Sequence, residues 1–224
     1  MAKTARARSN QILSHLSATD FALLEPHLRT IDLPIRLQLE NHNKPIKHVY
    51  FVDSGVVSVV ANGLGKRSIE VGLIGSEGMT GFALIMGVSR AANESFVQIA
   101  GSARRIKAAN LRHAIARSAR LHRAFLEYGN SFAIQTTRTA LANGRSKIEE
   151  RLARWLLMAH DRVDGDEMLL THEFLSTMLG VRRAGVTEAL GTLQDAGLVG
   201  ASRGMISILD RAGLEASSDG TYSP

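Results

Sequence analysis

"MLGVRRAGVTEALGTLQDAGLV" occupies residues 178–199, and two of its glycines punctuate it. Gly180 separates the apolar pair Met178 and Leu179 from the adjacent arginines Arg182 and Arg183, and Gly197 closes the run. Between them Val186, Ala189, Leu190 and Leu193 recur at helical spacing, so one stripe of a helix is apolar. A glycine just past the last periodic residue is a helix-stop signal. The preceding "HEFLSTML" (172–179) has its own stripe in Phe174, Leu175, Met178 and Leu179, and Thr171 stands where a capping hydroxyl is needed. Downstream, "LVGASRGMISIL" (198–209) reads as a hairpin with Ser202-Arg203-Gly204 at its tip. Helix, glycine turn, helix and hairpin in this order predict a winged helix-turn-helix.

With the apolar stripe facing inward, the outer face at the start of the second helix presents Arg182, Arg183, Ala184, Thr187 and Glu188. A guanidinium fork matches the two acceptors of guanine in the major groove, or a phosphate. Ala184 and Gly185 are small enough to let the helix sit close to bases. Glu188 can accept from a cytosine amine or hold Arg183 in position. This assigns base reading to Arg183 and phosphate contacts to Arg182 and Arg203, with Thr171 at the edge of the same surface. The competing reading is a solvated Arg–Glu face. A net charge of +6 favours a polyanionic partner.

Upstream, "NGRSKIEERLARWLLMAH" (143–160) combines a helix stop at Asn143-Gly144 with a capping box formed by Ser146 and Glu149. An apolar face follows: Ile148, Leu152, Trp155, Leu156 and Ala159. A stop and a restart so close together predict a hinge between domains. Before the hinge, a helical tract runs from about Leu111 to Asn143. In it Phe125, Phe132 and Thr139 recur every seven residues, with Gly129 and Thr136 or Tyr128 and Gln135 between them. A seven-residue repeat predicts a seam between paired helices, hence a homodimer. The alternative is one amphipathic helix packed on its own β domain. Gly129 costs such a helix about 1 kcal/mol relative to alanine.

The front half reads as β structure. "IDLPIRLQLE" places Ile31, Leu33, Ile35, Leu37 and Leu39 at every second position, the period of a strand. "NHNKP" (41–45) is a turn, "HVYFV" a strand, "DSG" (53–55) a turn and "VVSVVA" a strand. "NGLGK" (62–66) is a hairpin loop before "RSIEVGLI", and "GSEG" (75–78) turns the chain again. "ESFVQIAG" and "SARRIKA" add two strands, and "MTGFALIMGVSRAAN" interrupts them as a short helix and loop. Short strands at this spacing predict a jelly-roll. The fold class is thus α+β, with expected segments of 1–110 (β-roll sensor), 111–144 (long dimerisation helix), 145–212 (winged helix-turn-helix) and 213–224 (polar tail).

The sequence contains no cysteine, which removes disulfides, thiolate metal sites and cysteine nucleophiles. The basic start "MAKTARARSNQILSHL" is not followed by an apolar signal core, and no run reaches bilayer-spanning length. A cytoplasmic protein without a membrane partner is the expectation.

Three stretches, "HVYFVDSGVVSVV", "GSEGMTGFALIMG" with the following "SRAAN", and "THEFLSTMLGVRRAGVTEALGTLQDAGLV", together resemble the Crp/Fnr family of bacterial transcription regulators. The resemblance covers nearly the whole chain. It implies a dimer on palindromic double-stranded DNA, joined by the long helix, with a small-molecule effector in the β roll and RNA polymerase as a further partner. Arg183, Ala184 and Glu188 fall at the family's base-reading positions. The cyclic-AMP-responsive branch has arginine, glutamate and arginine there, so the operator is expected to differ. In that branch a Gly-Glu-Leu glutamate holds the ribose, whereas this chain has Gly81-Phe82-Ala83. Arg90 resembles the phosphate-holding arginine, and Thr136 and Thr137 match the adenine contacts. A missing ribose carboxylate implies an effector other than cyclic AMP, or none. The iron–sulfur branch is excluded by the absent cysteines.

The competing function is a cupin-type jelly-roll metalloenzyme. His42 and His48 are close in sequence, yet no His-x-His with a following carboxylate accompanies them. A haem-sensing regulator using His113 or His122 is a second alternative. The residues point to no catalytic group, no metal and no resident cofactor.

Overall fold

The computed structural model describes residues 10–63 and 68–223. The first nine residues of the basic start, and positions 64–66 of the expected hairpin loop, lie outside them. The chain divides into two compact units, Met1–Ser58 with Ile74–Phe132, and Val59–Leu73 with Ala133–Pro224.

The first unit is built on β1 (Arg29–Leu33), β2 (Gln38–Glu40), the first part of the long β3 (His48–Asn62) and β5 (Glu94–Lys107), in the order β1-β5-β3 with β2 also paired to β5, while the end of β3 and nearly all of its neighbour β4 (Ser68–Ile74) belong to the second unit. Helices α1 (Gln11–His15), α2 (Ala18–Leu24), α3 (Phe82–Ile85) and α4 (Ala108–Arg117) lie along its sequence. Leu13, Leu24, Val49, Phe51, Met79, Ile85, Ile106 and Leu111 share one core, so helices and sheet bury a common apolar face.

Several expected boundaries move, each for a visible reason. The alternating run 31–39 is not one strand: Pro34 and Arg36, at φ 68°, turn the chain, and Ile35 is left 47% exposed. Conversely, the "DSG" turn does not end a strand. β3 passes through it as one strand of 15 residues, with Gly55 at φ 83°. A side chain at Gly55 would meet the Ile99 carbonyl oxygen at 2.5 Å, and one at Gly101 the Ser54 oxygen at 2.0 Å. The two glycines let β3 kink against β5 without breaking off. The two strands expected over 94–107 are likewise one.

The helical tract is broken at Ser118, which is extended at φ −141°, so α5 (Ala119–Arg145) starts afresh. The Ser118 Oγ accepts from the Leu121 N–H at 3.1 Å and donates to Asp20 at 2.7 Å. That Ser118 hydrogen bond, with others from Ser17 and Arg120, holds the Asp20 carboxyl below its ordinary range despite burial. α5 also runs through Asn143-Gly144. The next helix, α6 (Ile148–His160), is capped one residue later than expected: the Lys147 N–H donates to Glu150 at 2.7 Å, in place of a Ser146–Glu149 box.

The expected seam is corrected as well. Phe125 is fully buried in the first unit's own core, its ring 5.9 Å from that of Phe51, and Phe132 is only 7% exposed, against Phe82. These residues pack on their own β domain. Gly129 has a packing reason too, because a side chain there would touch Phe82 and Ile85 at 3.3 Å.

In the second unit, α6 packs with α7 (His172–Leu179) and α8 (Arg183–Asp195). β6 (Glu167–Leu169), β7 (Val199–Ser202) and β8 (Met205–Ile208) form an antiparallel sheet in the order β6-β8-β7. The expected polar tail instead contains most of a docked helix, α9 (Arg211–Ala216), which buries Leu214. Arg211 and Tyr222 both reach Asp161, at 2.7 and 2.8 Å.

Candidate functional site

Thr171 caps α7 through its hydroxyl, which accepts from the Phe174 N–H at 3.2 Å. Gly180, at φ 63°, ends that helix in the left-handed conformation that glycine favours. Three residues later α8 begins. Val186, Ala189, Leu190 and Leu193 are buried, as their spacing requires. Arg182, Arg183, Ala184, Thr187 and Glu188 are all exposed at its start. No acidic residue lies in the first turn of α8, and neither arginine has an ion-pair partner among the described residues. Unpaired guanidinium groups at the positive end of a helix make a surface for an anion. Glu188 does not pair with Arg183, so the positioning role open to it in the sequence is not used.

Gly185 has a different role from the expected one. It is half-buried, and a side chain there would meet Ile148 Cδ1 at 3.2 Å. It lets α8 approach α6. The Thr187 hydroxyl is already engaged by the Arg183 carbonyl at 3.2 Å and the His172 ring at 3.0 Å. His172 escaped the sequence reading, although its place beside the capping Thr171 was a signal for it.

Arg203 and Gly204 form the tip between β7 and β8 at φ 49° and 80°, the positive pair of a tight hairpin turn. The Gly204 carbonyl accepts from the Leu170 N–H at 2.7 Å. This bond ties the wing to the residue before Thr171, and Arg203 is exposed at the tip.

The residues expected to hold an effector fare differently. Gly81 is buried at φ 84°, where a side chain would strike Val49 at 2.5 Å. Phe82 packs on Phe132, ring centroids 5.7 Å apart. Arg90 is exposed and donates to the Asn43 carbonyl at 2.7 Å; its neighbour Ala91 is the buried one. Thr137 is exposed and bonded back to the Ala133 carbonyl, and Thr136 is half-buried; both belong to the second unit.

A carboxylate that the sequence did not single out lies against Gly81. Glu40 accepts from the Gly81 N–H at 3.1 Å and from Ser95 Oγ at 2.8 Å. Burial pushes its carboxyl above its ordinary range, against these two bonds. The folded protein therefore holds this proton at pH values where the unfolded chain has lost it. The contribution is complete below about 4.5 and is lost as pH rises through the folded value. Calorimetry should show the melting temperature of the protein falling over this range more steeply than that of Glu40→Gln. Equal slopes would remove Glu40 as the cause.

No group of three or more His, Asp or Glu side chains is arranged to hold a metal among the described residues. His42 bonds the Ala92 carbonyl and His122 the Ile85 carbonyl. No helix is long and apolar enough to cross a membrane among the described residues.

Residues 150–217 match the family model of the Crp-like helix-turn-helix domain. A search of curated proteins finds no match. Among solved structures, a Crp/Fnr-family transcriptional regulator from Eubacterium rectale is similar at TM-score 0.74 and 21% identity, over 93% of this chain and 98% of that one. The c-di-GMP-responsive global regulator CLP of Xanthomonas campestris is similar at 0.67 and 20%, over 86% and 99%. FixK2 of Bradyrhizobium japonicum is similar at 0.69 and 19%, over 84% and 96%. At these identities the likeness is one of fold.

Proposed function

We infer that this chain, whose C-terminal domain is a Crp-like helix-turn-helix domain on the fold of the Crp/Fnr regulators, is a transcription regulator that reads an operator as a dimer. The observation that carries this is the pair Arg182 and Arg183, exposed at the start of α8 and without ion-pair partners among the described residues, with Arg203 exposed on the adjoining wing. Arg183 reads a base edge; Arg182 and Arg203 hold phosphates. Arg183→Ala should cost about 1–3 kcal/mol per half-site and relax preference at one base pair. Arg203→Ala should weaken all sequences alike and lower the salt slope by about one. Binding measured across a panel of mutated operators separates the two, and identical behaviour would overturn the assignment.

The second copy joins along α5. Its exposed face carries Leu126, Ala133 and Ala140 at seven-residue intervals, flanked by Ile134 and Leu141. A dimer would set two recognition helices about one DNA turn, roughly 34 Å, apart on a palindrome. Where the regulator activates, RNA polymerase becomes a further partner.

Cyclic AMP is not the effector in this reading. The position resembling the ribose glutamate is Phe82, packed on Phe132, and the Arg90 guanidinium is bonded to a main-chain carbonyl. A buried ribose hydroxyl left unpaired costs about 1–3 kcal/mol. Calorimetric titration beside operator binding tests this. Micromolar affinity with a several-fold gain in DNA binding would overturn it.

A further inference from the structure

We propose that the first unit carries a site for the phosphate group of a small organic molecule, in the cleft beside the β1–β5 pair. Arg29 lies directly opposite Arg105 on antiparallel strands, and like charges so placed repel. The neighbouring Arg104 shows what balance looks like, with its own counter-ion Asp53 at 2.9 Å. Among the described residues Arg29 and Arg105 have none. Arg29 Nη1 reaches only the carbonyls of Pro26 and Leu28, at 3.1 and 2.8 Å. The charge of Arg105 acts on the nearby Tyr50 hydroxyl.

The cleft they border has a volume of about 290 Å³ and is lined chiefly by His27, Arg29, His48, Arg105, Lys107 and Asn110. Among the described residues no lining side chain is acidic. The crowding registers on His48: burial first, then the charges of Arg105, Lys107 and Lys47, hold its imidazole below its ordinary range. Two guanidinium groups and an ammonium around one concavity suit a phosphate, which accepts bidentate bonds.

The ligand's body follows from what adjoins. His48 also lines a second cleft of about 390 Å³, whose walls include Leu39, Pro45, Ile46, Tyr50 and Glu40. Its apolar Leu39, Pro45 and Ile46 suit the body of an organic molecule, and Lys44, Lys47 and Tyr50 the polar groups that such a body carries. Neither cleft is lined by Gly81, Phe82, Arg90, Thr136 or Thr137, so this site is separate from the one the resemblance implies. A concave site of this size favours a small molecule over the acidic segment of another protein.

The test measures melting temperature in the full chain with sodium pyrophosphate, ADP, or sodium chloride at matched ionic strength. Pyrophosphate and ADP should each raise it by a few degrees beyond chloride, ADP the more because it fills both clefts. The double variant Arg29→Ser, Arg105→Ser should lose that gain, and without anion should melt higher than the parent. Arg183→Ala should keep the gain, which separates this site from the DNA-reading helix. An effect matched by chloride, a gain surviving in the double variant, or a lower melting point in its absence would each overturn the site. Equal gains from ADP and pyrophosphate would overturn the organic body. Response to an acidic peptide but not to pyrophosphate would overturn the small-molecule assignment.

Discussion

Ile134→Asp combined with Leu141→Asp is expected to leave a folded monomer that has lost about 10²- to 10⁴-fold in affinity for a palindromic operator. Both side chains are exposed apolar groups on α5, at 46% and 57%. They flank a row in which Leu126, Ala133 and Ala140 alternate with Asn130, Thr137 and Gly144, all exposed, at intervals of four and three. That is the spacing of a paired-helix seam, and its small residues allow a close approach. Leu126, at 38%, adds a large apolar side chain to that row. Aspartates here would leave charges facing each other across the seam. The fold of each copy does not depend on this face, so melting should change little. Without the second copy, the second half-site is no longer bound at high effective concentration, which sets the size of the loss. Sedimentation velocity at micromolar concentration checks the first part and operator titration the second. A variant that still sediments as a dimer would remove α5 as the seam.

The seam also shows where sequence stops being informative. The seven-residue repeat of Phe125, Phe132 and Thr139 is real, but such a repeat serves a partner or the chain's own β domain equally well. Only the long-range contact with Phe51 and Phe82 decides. The helix-turn-helix was legible because its signals are local: the Thr171 cap, the Gly180 and Gly197 stops, and the stripe from Val186 to Leu193 lie within one stretch. The arginines follow from that frame. The kink at Gly55 was not legible, because it depends on Gly101 across the sheet, 46 positions away in sequence. Gly185 suggests clearance for DNA in the sequence because its neighbour in the fold, Ile148, belongs to another helix. Arg90 looked like a ligand-holding arginine by motif. In the fold the loop residues 86–90 are all exposed, and Ala91 is the first one turned inward. Glu40 gave no local signal, since its burial comes from Ser95 and Gly81, each more than 40 positions away.

The largest expected loss of stability comes from a residue with no motif. Glu70 on β4 is 4% exposed, inside the second unit. It accepts from the Trp155 indole N–H at 2.6 Å, and its charge offsets part of the cost of the nearby buried Arg154. Arg154 is 6% exposed, and burial pushes its guanidinium down to about 10. Glu70→Ala leaves an indole donor without its acceptor and a buried cation without its counter-charge. Breaking one side of such a pair typically costs about 3–5 kcal/mol. Glu70→Gln keeps an acceptor for Trp155 but not the charge, so it should cost less. Glu70→Leu with Arg154→Met removes both charges and should recover much of the loss. Trp155 is the only tryptophan, so its fluorescence reports this locus directly during urea unfolding. The same strand reaches the turn that precedes α8: Ile69 Cδ1 lies 3.0 Å from where a side chain would start at Gly180. Loosening Glu70 should therefore weaken operator binding even at temperatures where the variant is fully folded. An unchanged urea midpoint would refute the stability claim. A lowered midpoint with unchanged operator affinity would show that β4 braces the domain without positioning α8.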